Sequence, residues 1–262
     1  MVEFSRSTAI PHLEARRSCQ ENSCYRPHSH DAFSIGLIDE GLSVFTGPFG
    51  NSIRLRPLDV IVIAADQVHQ CNPYSGRWLY RMIHMDQHWV ADLSPNGAAD
   101  GLLSGTTVLR RPDLHQLVTE WSDLIFADEP PERIESGFRA LVGELGAAVP
   151  EQLVVSETDP VLLDRLRPVL SRLRFDESNP GLEELAELVD MTKYQLVRAV
   201  KSVTGLAPLA WRQNARIAQA RHRLRNGDPI ADTAHALGFT DQSHFHRVFR
   251  AHVATSPGSY RA

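Results

Sequence analysis

Apolar and polar residues follow two different spacings along the chain. Over residues 16–85, short runs alternate apolar with polar residues and are separated by Gly, Pro, Asn and Asp, which is the pattern of strands joined by turns. Strands are predicted at residues 33–38, 42–46, 52–55, 59–63 and 78–83. From residue 112 onward apolar residues recur every three or four positions, which predicts helices. The chain is therefore expected to be α+β: a small antiparallel β-barrel with flanking helices, then an all-α region.

Two helices are predicted directly after the barrel, over residues 112–126 and 133–149. In the first, apolar residues that include Leu114, Val118 and Trp121 fall on one helical stripe. The stripe either packs on the barrel or contacts a second copy of the chain. Residues 150–160, which are bounded by prolines and contain several acidic residues, are interpreted as a linker. We therefore predict domains at residues 1–155 and 160–262, each long enough to bury its own core.

The all-α domain contains one pattern twice, at about residues 182–203 and 230–253. In each copy a short amphipathic helix ends at a turn and a second helix follows, which is the order of a helix-turn-helix. The turns are predicted at Asp190-Met191 and at Gly238-Phe239. A single amphipathic helix commonly has a polar face that meets only water, whereas a matched pair of such units indicates DNA binding.

Cap residues predict where the helices of this domain begin and end. Thr192, followed by Gln195 three residues later, predicts a capping box, and Gly205 predicts the end of the same helix. Two further helix starts are predicted from a polar cap followed by proline, at Asp228-Pro229 and Ser256-Pro257.

The second helix of each copy has one face for its own domain and one for a partner. Apolar residues at helical spacing, such as Leu196 and Val200 or Phe245 and Phe249, form the inner faces. The residues predicted to contact DNA are Lys193, Tyr194, Val197, Arg198, Lys201, Gln242, Ser243, His246, Arg247 and Arg250. Because Arg can donate two hydrogen bonds to guanine and Gln can pair with adenine, these side chains suit direct reading of base edges.

A predicted helix over Pro208–Arg225 joins the two copies. At 1.5 Å per residue it would be about 27 Å long, so it could hold two recognition helices near the 34 Å separation of successive major grooves. The pattern leaves open whether four residues of this helix contact the core or phosphate: Leu209, Arg212, Arg216 and Arg223.

Charge is unevenly divided between the two halves. Residues 191–262 contain 11 Lys and Arg against three Asp and Glu, a formal charge of +8, whereas the preceding residues contain 16 against 29, a formal charge of −13. The basic end is where contacts with phosphate are expected.

Residues 160–262 resemble the C-terminal domain of AraC/XylS-type transcriptional regulators. The resemblance is carried by residues 238–250 and by the Ser-Pro-Gly-Ser-Tyr-Arg run at 256–261. It implies seven helices, two recognition helices in adjacent major grooves, and binding to promoter DNA and RNA polymerase. The DNA contacts that carry over are Tyr194, Val197, Arg198, Gln242, Ser243 and Arg247. Ala207 replaces the polar cap that is usual before Pro208, which predicts a weaker helix start.

The N-terminal half resembles the cupin-like effector domain of the same family, through residues 27–30 and 55–69. The family's Pro-Gly-Asp turn is Pro57-Leu58-Asp59 here, so the turn is expected to differ or to be strained. The resemblance also implies a homodimer through the two helices after the barrel, with packing on the barrel as the alternative.

Imidazole and thiol groups define a candidate site in the barrel. His28 and His30 alternate around Ser29, and His69 and Cys71 around Gln70, so on strands each pair would share a face. Four nitrogen and sulfur donors suit tetrahedral zinc. The metal-binding cupin pattern has a Glu shortly after its His pair, and residues 33–36 supply none. The side chains therefore line an effector pocket, are satisfied within the core, or bind zinc, and no cofactor is required.

Three cysteines, Cys19, Cys24 and Cys71, do not form the framework of a secreted disulfide-rich protein. No run of residues is apolar for long enough to span a membrane, and the first residues lack the apolar core of a signal peptide. These features predict a cytoplasmic protein without a membrane partner.

The sequence predicts a sequence-specific transcriptional regulator, an activator or a repressor, that binds double-stranded DNA and senses a small effector. It is not expected to be an enzyme, because no set of nucleophile, base and orienting group is recognisable. Two alternatives stay open: a cupin-type metalloenzyme with an accessory nucleic-acid-binding domain, and an architectural DNA-binding protein that senses nothing.

Overall fold

The structure is a computed structural model that describes residues 2–21, 25–94, 97–155, 158–176 and 178–261. It divides into two compact units, one comprising Met1–Cys24 and Ser29–Ser156, the other Tyr25–His28 and Glu157–Ala262. Cys24, one of the three cysteines considered above, lies outside the described residues. Cys71 carries a free thiol.

The first unit is built on two antiparallel sheets. Its strands are β1 (Val2–Arg6), β2 (Glu14–Glu21), β3 (Phe33–Glu40), β4 (Ser43–Thr46), β5 (Ser52–Leu55), β6 (Val60–Ile63), β7 (Gln70–Pro73), β8 (Arg77–Met85), β9 (Thr106–Leu109) and β10 (Gln152–Val154). One sheet has the order β1-β2-β8-β3-β6-β9-β10 and the other the order β5-β4-β7. The antiparallel architecture predicted for this half is confirmed, and all five predicted strands are present.

The strands that the pattern missed are mainly polar ones. β2 has the sequence EARRSCQE, in which apolar alternation is absent. Its position is supported instead by charge pairs, since Arg17 of β2 and its cross-strand neighbour Arg81 of β8 both donate to Asp123, at 2.6 and 2.9 Å. The spacing of apolar residues within a strand cannot predict ion pairs with residues that are distant in the sequence.

Three α-helices complete the first unit: α1 (Gln87–Leu93), α2 (Pro112–Phe126) and α3 (Pro131–Ala147). The apolar stripe of α2 is buried together with that of α3 against sheet residues such as Phe33, Ile35 and Ile83. Trp121 of α2 also donates from its indole nitrogen to the carbonyl oxygen of Ile134 in α3, at 3.0 Å. The stripe therefore packs on the sheet, and dimer contact through these helices stays a prediction.

The predicted linker at residues 150–160 is wrong over part of its length. Gln152, Leu153 and Val154 form β10, paired with Val108, Thr107 and Thr106 of β9. The strand lies at the edge of the sheet, where Leu153 is exposed. A short, exposed edge strand flanked by acidic residues has a composition like that of a linker, which explains the error.

The second unit is helical, as predicted. In its described residues it has seven helices, the number that the resemblance implies: α4 (Pro160–Phe175), α5 (Leu182–Glu187), α6 (Lys193–Thr204), α7 (Pro208–Arg225), α8 (Ile230–Ala236), α9 (Gln242–Val253) and α10 (Pro257–Arg261). One cluster of buried aliphatic side chains joins α4, α5 and α6. Aromatic rings of Phe245, Phe249 and Tyr260 pack edge to face between α9 and α10.

One predicted cap is displaced by a residue. Pro229, and not Asp228, occupies the N-cap of α8, and it makes no side-chain cap hydrogen bond. The carboxylate of Asp228 lies 3.8 Å from Nε of Arg223 instead. None of the helices in the described parts of the chain has the length and hydropathy that crossing a bilayer requires.

Candidate nucleic-acid interface and histidine cluster

Both helix-turn-helix units form their turns with the same hydrogen bonds. In the first, the backbone N–H groups of Asp190 and Met191 donate to the carbonyl oxygens of Glu187 and Ala186, at 3.4 and 3.0 Å. In the second, Gly238 and Phe239 donate to His235 and Ala234, at 3.0 and 3.1 Å. This paired arrangement ends a helix and requires a left-handed residue. Asp190 and Gly238 supply it, with φ of 49° and 68°.

The first recognition helix, α6, begins with the predicted capping box. Thr192 accepts from the backbone N–H of Gln195 at 3.3 Å, and the Gln195 side chain accepts from the backbone N–H of Thr192 at 2.8 Å. Gly205, with φ of 75°, ends the helix as predicted. Because Leu196, Val200 and Val203 are buried, the opposite face is left to solvent.

The second recognition helix, α9, has the same length and a simpler start. Asp241 caps it by accepting from the backbone N–H of His244 at 2.7 Å. Phe245 and Phe249 are fully buried and fix its inner face. The helix ends at Ala254, a non-glycine residue with φ of 61°.

The side chains predicted to contact DNA lie together on the outer faces of these helices. Eight are exposed: Lys193, Tyr194, Arg198, Lys201, Gln242, Ser243, Arg247 and Arg250. Val197 and His246 are half-buried. Lys193 is already partnered, since its Nζ lies 2.9 Å from a carboxylate oxygen of Glu183 in α5. DNA contact by these side chains stays a prediction.

Three arginines of α7 contact the protein itself, which the sequence pattern left open for two of them. Arg212 donates to the carbonyl oxygen of Pro180 at 2.8 Å, and Arg216 donates to the side-chain oxygen of Asn179. Arg221 is buried and donates to the hydroxyl of Tyr260 at 3.1 Å. Burial lowers the pKa of Arg212 and Arg216. Part of the basic excess therefore stabilises this unit.

Histidine side chains cluster inside the first unit. The rings of His30 and His69 have centroids 5.2 Å apart, and one nitrogen of each lies within 4.8 Å of the other. Nδ1 of His69 is 2.8 Å from the carbonyl oxygen of Gln67, so this nitrogen carries the proton and Nε2 is the acceptor. Burial lowers the pKa of His69, which favours the neutral ring.

His84 is a member of this cluster that the sequence prediction missed. Its ring centroid lies 4.5 Å from that of His30, and its Nδ1 is 2.8 Å from the hydroxyl of Ser34. On β8 the residues Trp78, Tyr80, Met82 and His84 share one face of the strand and are all buried, and Ile83 and Met85 on the other face are buried too. The alternation of this strand, which was recognised, could have identified His84 as an inward-facing residue.

The two remaining predicted donors are Cys71 and His28. Cys71 is buried on β7, where it pairs across the sheet with Phe45, and burial raises the pKa of its thiol to about 12. His28 is grouped with the second unit, where its Nδ1 lies 2.7 Å from the carbonyl oxygen of Arg26. Zinc binding by the four predicted residues stays a prediction.

Comparison with known families decides the class of protein. Residues 10–163 match the AraC-like ligand binding domain, and residues 185–262 match a helix-turn-helix domain. The chain belongs to the AraC family of transcriptional regulators. The family resemblance and the two-domain fold predicted from the sequence are thereby confirmed.

Individual relatives span nearly the whole of this AraC-family chain. It is 36% identical to the HTH-type transcriptional activator RhaS of Pectobacterium carotovorum, over 99% of this chain and 95% of that protein. It is 24% identical to the arabinose operon regulatory protein of Escherichia coli, over 90% and 82% of the two chains. The crystal structure of ToxT from Vibrio cholerae O395 superposes with a TM-score of 0.55 at 13% identity, over 95% and 97%. That likeness shows the fold alone.

Family membership gives the two sites of this AraC-family chain their general roles. The domain that contains α6 and α9 is the DNA-binding one, and the domain that contains the histidine cluster is the ligand-binding one. The curated relatives described above are transcriptional regulators, in agreement with the regulator predicted from the sequence.

Proposed function

We propose that this chain binds promoter DNA sequence-specifically by placing α6 and α9 in successive major grooves, and that a small effector in the barrel changes this binding. The observation that carries the proposal is the matched pair of recognition helices. Each has 12 residues, a side-chain cap, a buried apolar face and an exposed face with at least two cationic side chains. We propose a regulator and not an enzyme.

The connecting helix supports simultaneous reading by both units. α7 is unbroken from Pro208 to Arg225, which at 1.5 Å per residue gives a rod about 27 Å long. It packs against α4 and α6 in the first half of this unit and against α8, α9 and α10 in the second half. A rigid helix of this length suits two recognition helices that lie on one side of a duplex, in major grooves about 34 Å apart.

The exposed side chains divide into those suited to bases and those suited to phosphate. Arg198 and Arg247 occupy central outward positions of their helices, where a guanidinium can donate two hydrogen bonds to guanine. Gln242 lies at the first turn of α9, where recognition helices usually meet base edges. Lys201 and Arg250 follow near the helix ends and suit backbone phosphates.

The histidine cluster is the proposed effector site. His30, His69 and His84 provide polar ring nitrogens, and Phe45 stacks on His69 with ring planes inclined by 13°. A few polar groups in an apolar wall suit a small polar ligand. A closed zinc site takes four donors, and Cys71, the candidate thiolate, is not among the side chains whose donor atoms lie within 4.8 Å of one another. We therefore favour an organic effector, with zinc as the alternative occupant.

Zinc content distinguishes the two occupants. The purified chain and its His30→Ala variant would be analysed for bound metal, and then for DNA binding in the presence of a chelator. We expect no stoichiometric zinc and no effect of the chelator. One zinc per chain that is lost in the variant would replace the organic effector with a metal.

The wider assembly is proposed from the family. A homodimer through the outer faces of α2 and α3 and a contact with RNA polymerase would place the regulator on promoters in the cytoplasm. Sedimentation of the purified chain tests the dimer, because a monomer at all concentrations would exclude it.

The central experiment selects duplexes from a randomised library with the full-length protein. We expect one preferred sequence with two half-sites. Arg198→Ala and Arg247→Ala should each cost about 1 to 3 kcal/mol of specific binding and relax base preference in one half-site. The matched control is Arg167→Ala, an exposed arginine of α4 paired with Asp164. Unchanged base preference in both recognition-helix variants would contradict the proposal.

A further inference from the structure

Arg165 of α4 donates hydrogen bonds to the backbone of the turn in the first helix-turn-helix unit. Its Nε and Nη2 donate to the carbonyl oxygen of Val189, at 3.2 and 2.5 Å, and Nη2 also donates to the carbonyl oxygen of Asp190 at 3.3 Å. One guanidinium therefore holds two consecutive carbonyl groups.

These carbonyl groups lie at the C-terminal end of α5, where backbone acceptors lack partners within the helix. A cation at this end is favoured by the helix dipole as well as by the hydrogen bonds. The second carbonyl belongs to Asp190, the non-glycine residue with φ of 49°. Arg165 therefore stabilises a left-handed backbone conformation that glycine adopts more readily than aspartate does.

The turn that Arg165 contacts leads directly into the first recognition helix, α6. Only Met191 separates Asp190 from Thr192, the N-cap of α6. The direction in which the chain leaves Asp190 consequently sets where α6 begins and how its outer face is aimed. A guanidinium that fixes this turn acts on Tyr194 and Arg198 without touching either.

Among the described residues, no arginine donates a hydrogen bond to the carbonyl groups of the turn in the second unit. There the left-handed residue is Gly238, and Arg216 of α7, whose guanidinium lies beside it, donates to Asn179. A Cβ on Gly238 would lie 3.1 Å from Nη2 of Arg216, so this guanidinium covers the turn without holding its carbonyls. The two recognition helices are thus positioned by different means.

We propose that Arg165 is a positioning residue for α6, so that it controls binding at the half-site read by α6 and leaves the half-site read by α9 unaffected. This inference rests on the proposed function, because it needs two half-sites read by two helices. A general stabilising role of Arg165 would instead weaken both half-sites together.

The test uses the full-length protein and the duplex that it selects from a randomised library. Two derivatives of the duplex have one half-site scrambled each, and the α6 half-site is the one whose base preference relaxes in Arg198→Ala. The variant is Arg165→Met, and the matched control is Arg167→Met on the same helix. Arg167 is exposed and paired with Asp164 of its own helix.

We expect Arg165→Met to bind about tenfold more weakly to the duplex that retains only the α6 half-site, a change of one decade in Kd. Binding to the duplex that retains only the α9 half-site should be unchanged. Arg167→Met should match the unaltered protein on both duplexes.

Equal losses on the two duplexes, or no loss on either, would overturn the inference. Circular dichroism checks that Arg165→Met is folded. If it is not, Arg165→Lys keeps the charge but cannot fork onto two carbonyls, and a smaller loss confined to the α6 half-site is then the supporting result. A protein that selects no duplex at all would overturn the proposed function itself, which is distinguishable from the loss of one half-site.

Discussion

The two helix-turn-helix units share a backbone but place glycine at opposite ends of their recognition helices. In the first unit the turn contains Asp190 and the helix ends at Gly205, whereas in the second the turn contains Gly238 and the helix ends at Ala254. All four residues have positive φ. The left-handed conformation is therefore required at both positions, while the residue type is not.

Each unit therefore meets the same backbone requirement, and different neighbouring groups offset the strain in each. At Asp190 the strain is offset by the guanidinium of Arg165 on the adjacent carbonyls. At Ala254 the side chain is buried, beside Val253 and Thr255, which are buried as well. A glycine relieves the strain directly, and any other residue depends on its neighbours.

The inner faces of the two units differ in the same way. Aliphatic side chains such as Leu196 and Val200 fill the first unit, whereas Phe245, Phe249 and Tyr260 fill the second. Larger rings bury more area per residue, so we expect the second unit to depend on fewer, individually more important side chains.

Truncating one buried side chain in each recognition helix tests this packing difference, and we expect the greatest loss of stability here. Phe249→Ala should lower the free energy of unfolding by about 3 to 5 kcal/mol, because it removes a buried ring and leaves a cavity. Val200→Ala at the corresponding position of α6 should cost less, about 2 kcal/mol. Urea unfolding of the two variants measures both values. Equal costs would show that the two inner faces are equivalent after all.

Exchanging the turn residues tests the backbone requirement. Gly238→Asp should destabilise the protein by about 1 to 2 kcal/mol, because an L-residue is placed in the left-handed region. Asp190→Gly should stabilise it by up to about 1 kcal/mol if chain entropy does not cancel the relief. Asp190→Asn is the control, since asparagine tolerates this region. Opposite signs would mean that side-chain contacts, and not backbone conformation, select these residues.

The C-terminal ends of α6 and α9 test the same backbone requirement with a smaller expected effect. Here the glycine belongs to the first unit and the non-glycine residue to the second. Ala254→Gly should be neutral or stabilising by about 0.4 to 1 kcal/mol, whereas Gly205→Ala should be destabilising. Thermal unfolding of both variants, with Ala231→Gly on the exposed side of α8 as a destabilising control, measures the difference. A loss of stability in Ala254→Gly would indicate that the buried methyl group outweighs the strain.

The smallest expected difference appears on acidification. Burial lowers the pKa of His252 in α9, so the unfolded chain takes up a proton near pH 6.5 that the folded chain does not. Stability from this group is present above that pH and is lost below it. Helices α4, α5 and α6 contain no histidine, so hydrogen exchange should accelerate in α9 before α6.

The exchange experiment has two controls. His252→Phe should abolish the difference, and His222→Gln, at an exposed position of α7, should leave it unchanged. A difference that survives in His252→Phe would assign it to other groups.

Much of the DNA-binding unit could be predicted because its signals are local. The capping box at Thr192, the stop at Gly205 and the bounds of α7 depend on residues within a few positions of each other. The paired turns were recognisable even though one lacks glycine. The internal roles of Arg212 and Arg221 were not, because their acceptors lie 32 and 39 residues away in sequence.

The barrel could be predicted only in outline. Alternating strands such as β5 were recognised, whereas β2 is polar and pairs with β8 through residues about 60 positions further on. The strain expected at Leu58 is present, with φ of 72° where the family has glycine. His84 required the strand alternation to be extended by one residue, and the separation of Cys71 from the imidazoles depends on three-dimensional geometry.

The unbroken connecting helix constrains how binding-site spacing can evolve. One residue added to or removed from a straight α-helix turns everything beyond it by about 100° while moving it by only about 1.5 Å. A single-residue insertion in α7 would thus rotate α9 away from the groove that it is proposed to enter, and would hardly change the distance between α6 and α9. Operators of this regulator are expected to tolerate base changes more readily than changes in the number of base pairs between half-sites.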